Sequence, residues 1–286
     1  MHPVRDIRTT VHGDNFAILG DDDALNYVEQ LLRTKYELKR TGNLGPEPND
    51  DKEVTILNRY IRYAGNSLHP EVHYEADPRH AELIVQALGL DKSNTVATPS
   101  VKHTRQEVEK AALEPPLPAS QATLYRSLVM RGAYLSQDRA DLGEPCKQLA
   151  RRMQAPTASD LADLKRLGRY LKGKPRVVTK FTTQSWDGTV TVYVDSDHAG
   201  CLVTRKSTTG LIAFLGTHCV KHSSNLQSTI ALSSGESEFY GLVKAGATGL
   251  GLRSLLEDWG IETHVRLRTD SSAAKATTSR LGLGKL

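Results

Sequence analysis

Cysteine is scarce in this chain of 286 residues, aromatic residues make up only 6%, and no long apolar run occurs anywhere. The three cysteines, Cys146, Cys201 and Cys219, are an odd number spread widely, with no C-x-x-C pair. That excludes a disulfide framework and reads as buried thiols. His218 and His222 stand on a stretch that reads as a strand, where their spacing does not converge on a metal without further ligands. No apolar run approaches the ~18 residues of a membrane span, and the opening MHPVRDIRTT lacks the apolar stretch of a signal peptide. These absences exclude membrane and collagen-like chains, and a cytoplasmic or nuclear protein with no membrane partner is expected. Apolar residues at 38% and charged residues at 24% fit a globular chain long enough for roughly two domains.

What is present is unevenly distributed. The net charge of +4 divides into −5 for residues 1–100, +6 for 101–175 and +3 for 176–286. The densest basic stretch runs from Arg151 to Arg176, where eight bases face only Asp160 and Asp163. Such a stripe suits a phosphate backbone, and it suits equally a solvated helix face.

The first hundred residues read as α+β. Asp22 and Asp23 can cap a helix carrying Leu25, Val28, Leu31 and Leu32, and Gly42 ends the segment that follows it. Val54–Tyr63 reads as one or two strands and Pro78–Leu88 as a helix. A linker is expected from Thr95 through Pro115, Pro116 and Pro118, with helices over Leu124–Leu135 and Ser159–Leu171. In the last of these, Leu161, Leu164 and Leu171 form an apolar stripe, while Lys165, Arg169 and Lys172 share another face.

From Gly188 the pattern turns to strands. Thr189–Asp195 alternates strictly, placing Val190, Val192 and Val194 on one face. Leu211–Leu215, Gly216–Thr217 and His218–His222 read as a hairpin. A helix is expected from about Gly235 to Trp259, with Phe239, Leu242, Val243, Ala247 and Leu250 inward. Val265–Asp270 is read as a short strand, and a further helix opens near Ser271 or Ser272.

Three acids fall at strand ends and a helix start: Asp195, Glu238 and Asp270. Clustered carboxylates hold hard divalent ions, and two ions ~4 Å apart can activate water for phosphodiester cleavage. Glu236 and Glu238 lie about 200° apart around a helix, so both cannot face one site. Ser233–Glu236 reads as a capping box, which gives Glu236 a structural task and leaves Glu238. Asp197, followed by His198, Ala199 and Gly200, is expected in a turn, which leaves Asp195.

The motifs YVDSDHAG (Tyr193–Gly200), RKSTTGLIAFLG (Arg205–Gly216), ALSSGESEFYGL (Ala231–Leu242) and RTDSSAAK (Arg268–Lys275) resemble the ribonuclease H domain of copia-type LTR retrotransposon polyproteins. VHGDNFAILG (Val11–Gly20) is similar to the aspartate-pair hairpin of the reverse transcriptase of such elements. EADPRHAELI (Glu75–Ile84) and VATPSVK (Val96–Lys102) look like its thumb-side continuation. LYRSLVMRGAYLSQDRADL (Leu124–Leu142) with LKRLGRYLKG (Leu164–Gly173) looks like the connection region. The resemblance implies α/β and α+β architecture. A reverse-transcriptase palm and thumb remnant (1–100) and a helical connection (101–187) would precede a ribonuclease H-like mixed sheet with helices (188–286).

It implies hydrolysis of RNA in RNA/DNA hybrids with Mg²⁺, manganese being an alternative, and with the remainder of the Pol polyprotein as a partner. Asp195, Glu238 and Asp270 match the family's first-strand aspartate, helix glutamate and third carboxylate. Asp14 and Asn15 stand where the polymerase has two aspartates, and an amide is a poor ligand for a hard cation. The polymerase's other metal-binding aspartate is expected upstream of Met1, so DNA synthesis is not expected. No acidic residue follows Asp270, so the family's fourth carboxylate, on a closing helix, is expected to be missing. The alternative reading is an inactive retroelement remnant that only binds nucleic acid, through Lys165, Arg169 and Lys172.

Overall fold

The computed structural model describes residues 4–66 and 68–280; the last six positions of the expected 188–286 segment lie outside the described residues. Three sheets and eight α-helices are formed among the described residues. Near the N-terminus, β1 (Arg8–His12) and β2 (Asn15–Leu19) make a hairpin, followed by α1 (Asp22–Arg33). The α1 cap is Asp21, one residue earlier than expected, because its carboxylate accepts the Ala24 N–H at 2.8 Å.

The next sheet is antiparallel, in the order β3 (Glu53–Ile56), β4 (Arg59–Gly65), β5 (Pro70–Ala76) and β6 (Val178–Thr182). Leu57 and Asn58 both take positive φ between β3 and β4, the twist a two-residue hairpin needs. Strand β6 arrives a hundred residues after β5, and no local pattern announces it. One cluster packs α2 (Arg79–Ala87) against α4 (Ala119–Leu135), α5 (Gly143–Ala150) and α6 (Ala158–Gly173) through Ile84, Tyr125, Leu142, Leu164 and Leu167. Each such side chain contributes about 1.5–3 kcal/mol on burial. The expected 1–100 and 101–187 segments therefore share one core and one sheet. The expected linker also holds a helix, α3 (Arg105–Ala111), opened by a Thr104–Glu107 capping box.

The C-terminal sheet has the order β10 (His264–Arg268), β7 (Thr189–Ser196), β8 (Thr208–Leu215) and β9 (His218–Leu226). Pairing is antiparallel from β7 to β9 and parallel between β10 and β7. Val190, Val192 and Val194 are buried beneath α7 (Ser234–Asp258), as the alternation predicts, with Leu242, Ala245 and Leu256 from that helix. The inner face of α7 differs from expectation. Gly241, Ala245 and Gly249 face the sheet, while Val243 and Leu250 are about half exposed. A Cβ on Gly241 would stand 2.5 Å from Ser196 Oγ, and one on Gly249 2.5 Å from Val265 Cγ1. The helix lies so close to the strands that small residues must form the contact, and the larger ones are displaced to its flanks. A last helix, α8 (Ser272–Thr278), is capped by Ser271. No helix of the described residues is long and apolar enough to cross a membrane.

Candidate metal centre

The parallel pairing of β10 with β7 is what makes a site possible. Arg268 stands opposite Tyr193 in register, so two residues further on the chain reaches Asp270, just past the end of β10, and Asp195, within β7. Parallel strands end on the same side. Helix α7 begins at that side, and Glu238 lies in its second turn with its side chain toward β7. One ligand oxygen from each of Asp195, Glu238 and Asp270 lies within 4.8 Å of the others.

The environments of the three differ. Asp195 and Asp270 are exposed, while Glu238 is 7% exposed. Glu238 Oε1 accepts the backbone N–H of Ser196 at 3.3 Å, and Oε2 is buried with no hydrogen-bond partner. Burial pushes the Glu238 carboxyl above its ordinary range; the Ser196 N–H pulls it down, and the charges of Asp195 and Asp270 push it up again. Two unit charges 4.8 Å apart repel by about 0.9 kcal/mol in water-like dielectric. Three carboxylates within 4.8 Å, one of them buried with an oxygen that has no hydrogen-bond partner, are the donor set a hard divalent cation takes, so these residues fit such an ion.

The neighbouring acids point elsewhere. Glu236 accepts from the Leu232 N–H at 2.7 Å and from the Tyr240 hydroxyl at 2.6 Å. The expected bond back to the cap residue is thus made one residue earlier, although Ser233 does cap Glu236 N. Asp197 lies in the turn and accepts from Thr208 N. Beside the carboxylates, a groove of about 680 Å³ opens between the outer face of the sheet and the start of α5. It is lined by Tyr193, Gly210, Ile212, His222 and Gly143. Arg268 sits over the Tyr193 ring at 5.9 Å at its edge.

The other residues singled out in the sequence are not members of the three-carboxylate cluster. Asp14 and Asn15 sit exposed at the β1–β2 turn, the Asn15 amide donating to Asp14 at 3.4 Å. In the basic stripe, Arg169 donates to the Asn94 carbonyl at 2.7 Å, and Lys172 to those of Asp91 and Ser93 at 2.6 and 2.7 Å. These two pin residues 91–94 to α6, whereas Lys165 is exposed one turn before Arg169. Arg176 is committed to the buried Glu75. Cys146 and Cys201 are buried and Cys219 is partly so. Burial alone would raise the Cys201 thiol, but hydrogen bonds from Thr204 and Arg151 bring it down to about 6.

Residues the sequence did not suggest stand behind the carboxylates: Ser196, Thr209 and Gln227 form a polar network under the start of α7. Their only sequence signal is polarity at positions that strand alternation would leave apolar or indifferent.

Comparison with known proteins fits this layout. The chain is 31% identical over 179 residues to the uncharacterized mitochondrial protein AtMg00810 of Arabidopsis thaliana, covering 63% of this chain and 72% of that protein. It is 30% identical over 244 residues to the retrovirus-related Pol polyprotein from transposon RE2 of the same plant, covering 83% of this chain. Identity to the corresponding polyprotein from transposon RE1 is 30% over 175 residues, or 60% of this chain. No family model matches. The described residues form a mixed α/β fold with a three-carboxylate cluster, and the chain is similar in sequence to polyproteins of mobile elements. Specifically, the chain belongs to the Pol polyprotein family of copia-type retrotransposons, and it spans 16% and 12% of the RE2 and RE1 polyproteins.

Proposed function

We propose that residues 188–286 are a ribonuclease H-type domain that hydrolyses the RNA strand of RNA/DNA hybrids at the Asp195, Glu238 and Asp270 cluster. In this reading residues 1–100 derive from the reverse-transcriptase palm and thumb, and 101–187 from its connection region. One observation carries the proposal: three carboxylates meet within 4.8 Å at the ends of a parallel strand pair, with one buried oxygen lacking any donor. Divalent ions bound there would supply an activated water and stabilise the leaving oxygen. Asp195 and Asp270 hold the solvent side of the site and Glu238 the buried side. The Ser196 N–H holds Glu238 Oε1, and Oε2 is left without a donor. The groove beside Tyr193 and Arg268 gives a nucleic-acid strand a path to the carboxylates, with a guanidinium at its edge for phosphate.

The test is cleavage of an end-labelled RNA/DNA hybrid by the full chain with magnesium and with manganese. Metal-dependent cleavage that Asp270→Asn abolishes supports the proposal. Cleavage unchanged in both Asp195→Asn and Asp270→Asn refutes it. A second reading, binding without cleavage, is favoured by ligand number: the cluster among the described residues has three acids, which serve one ion better than two. Manganese binding and hybrid binding with no cleavage would select that reading.

A further inference from the structure

We propose that Gln227 is a positioning residue of the carboxylate cluster, holding α7 at the register that brings Glu238 to β7; this rests on the metal-binding reading above. Gln227 follows β9 and is anchored by its own N–H, which donates to the Ser207 carbonyl at 2.8 Å. Its side-chain Nε2 lies 2.8 Å from the Ser237 carbonyl, 2.9 Å from Thr209 Oγ1 and 3.4 Å from Ser196 Oγ. A carbonyl only accepts, so Ser237 fixes the amide with its nitrogen inward. The two N–H bonds then go to Ser237 O and Thr209 Oγ1, and Thr209 is within 3.1 Å of Ser196 Oγ.

This brace ends at the metal ligand on both sides. Ser237 directly precedes Glu238 in α7, and Ser196 gives its backbone N–H to Glu238 Oε1. Ser196, Thr209, Ser237 and Glu238 are all at least nine-tenths buried. A methyl group at Gly241 would press on Ser196 Oγ, so the network has no slack. Gln227 Oε1 is buried without a partner. A residue serving only to fill space would do better as Leu or Met, with no stranded oxygen. The amide is explained by its nitrogen, which joins β8 to the first turn of α7. Gln227 touches none of the three carboxylates in the described contacts and acts through Ser237, Thr209 and Ser196.

Residues that orient metal ligands typically change metal affinity or activity 10–100-fold when replaced. The experiment measures Mn²⁺ binding to the full chain by electron paramagnetic resonance of the free ion, with unfolding followed in parallel. Wild type, Asp270→Asn, Gln227→Met and Thr209→Val are compared. The expected result is Mn²⁺ binding by wild type, loss in Asp270→Asn, and about tenfold weaker binding in Gln227→Met with the folded state retained. Thr209→Val keeps the β-branched shape and weakens binding in the same direction. If Gln227→Met does not fold, Thr209→Val decides: weakened binding supports the brace and unchanged binding overturns it. Unchanged Mn²⁺ affinity in both variants, with Asp270→Asn still defective, overturns the role of Gln227 alone. Equal binding by wild type and Asp270→Asn overturns the metal reading and the positioning role with it.

Discussion

Replacing Asp270 by Asn should stabilise the metal-free protein and remove its stabilisation by magnesium, a reversal of order that depends on the cluster being a cation site. The carboxylates lie within 4.8 Å of one another, so Asp270 repels each of its two neighbours by at least about 0.9 kcal/mol in water-like dielectric. Asp195 and Asp270 are exposed, so the water-like figure suits that pair and salt screens it, whereas buried Glu238 lies in a lower dielectric that strengthens its share. The substitution therefore gains about 1–2 kcal/mol in chelator at low ionic strength.

With magnesium at a hundred times its dissociation constant, wild type gains about 2.7 kcal/mol from binding, and the variant gains little. Wild type should then become the more stable of the two. Both tryptophans, Trp186 and Trp259, pack against the core beneath the site. Urea unfolding followed by their fluorescence thus reads this core selectively, in chelator and in magnesium. If Asp270→Asn is less stable than wild type in chelator, or gains as much from magnesium, the carboxylates do not form a shared cation site.

Gly241→Ala should cost about 1–3 kcal/mol by overpacking, despite the ~1 kcal/mol that alanine gains in a helix, because its Cβ would meet Ser196 Oγ at 2.5 Å; urea midpoints check this. Arg176 and Arg62 hold Glu75 below the usual carboxylate range against the opposing effect of burial. Its contribution is therefore complete above the unfolded value near 4.5 and is lost as pH falls through the lower folded value. Glu75→Gln should lower stability by about 1–3 kcal/mol at pH 7, and the difference should shrink steadily as pH falls below 4.5, as acid titration of unfolding would show. Lys172→Met should speed proteolysis around residues 91–93, whose carbonyls it pins. Lys165→Ala should leave stability unchanged and flatten the salt dependence of hybrid binding by about one phosphate, or ~0.9 in slope for a duplex. A salt slope identical to wild type would remove Lys165 from the nucleic-acid path.

The parts of this chain that could be read from sequence are those whose partners are fixed by period. The valines of β7 reveal their buried face because a strand alternates whatever it packs against, and the β8–β9 hairpin is closed locally at Gly216–Thr217. Elements whose partners are distant in the chain gave no such signal. Strand β6 pairs with β5 across a hundred residues, and Lys172 and Arg169 find backbone carbonyls that no side-chain pattern encodes. On α7, large apolar residues such as Val243 and Leu250 sit on the flank, because a helix packed this closely buries Gly241, Ala245 and Gly249 instead.

The carboxylate site divides the same way. Asp195 and Asp270 are legible because two parallel strands in register must deliver residues two past Tyr193 and Arg268 to one edge. Glu238 is separable from Glu236 because the helical angle lets only one of them face the site and the capping box at Ser233–Glu236 claims the other. What holds Glu238 in place was not legible. The Ser196 N–H is a backbone donor, and Gln227 reaches Ser237 only because the chain between β9 and α7 returns across the end of β8. The ligands are thus specified by short motifs, whereas their spacing is specified by a tertiary brace, and a change in the brace can weaken the site while leaving every motif intact.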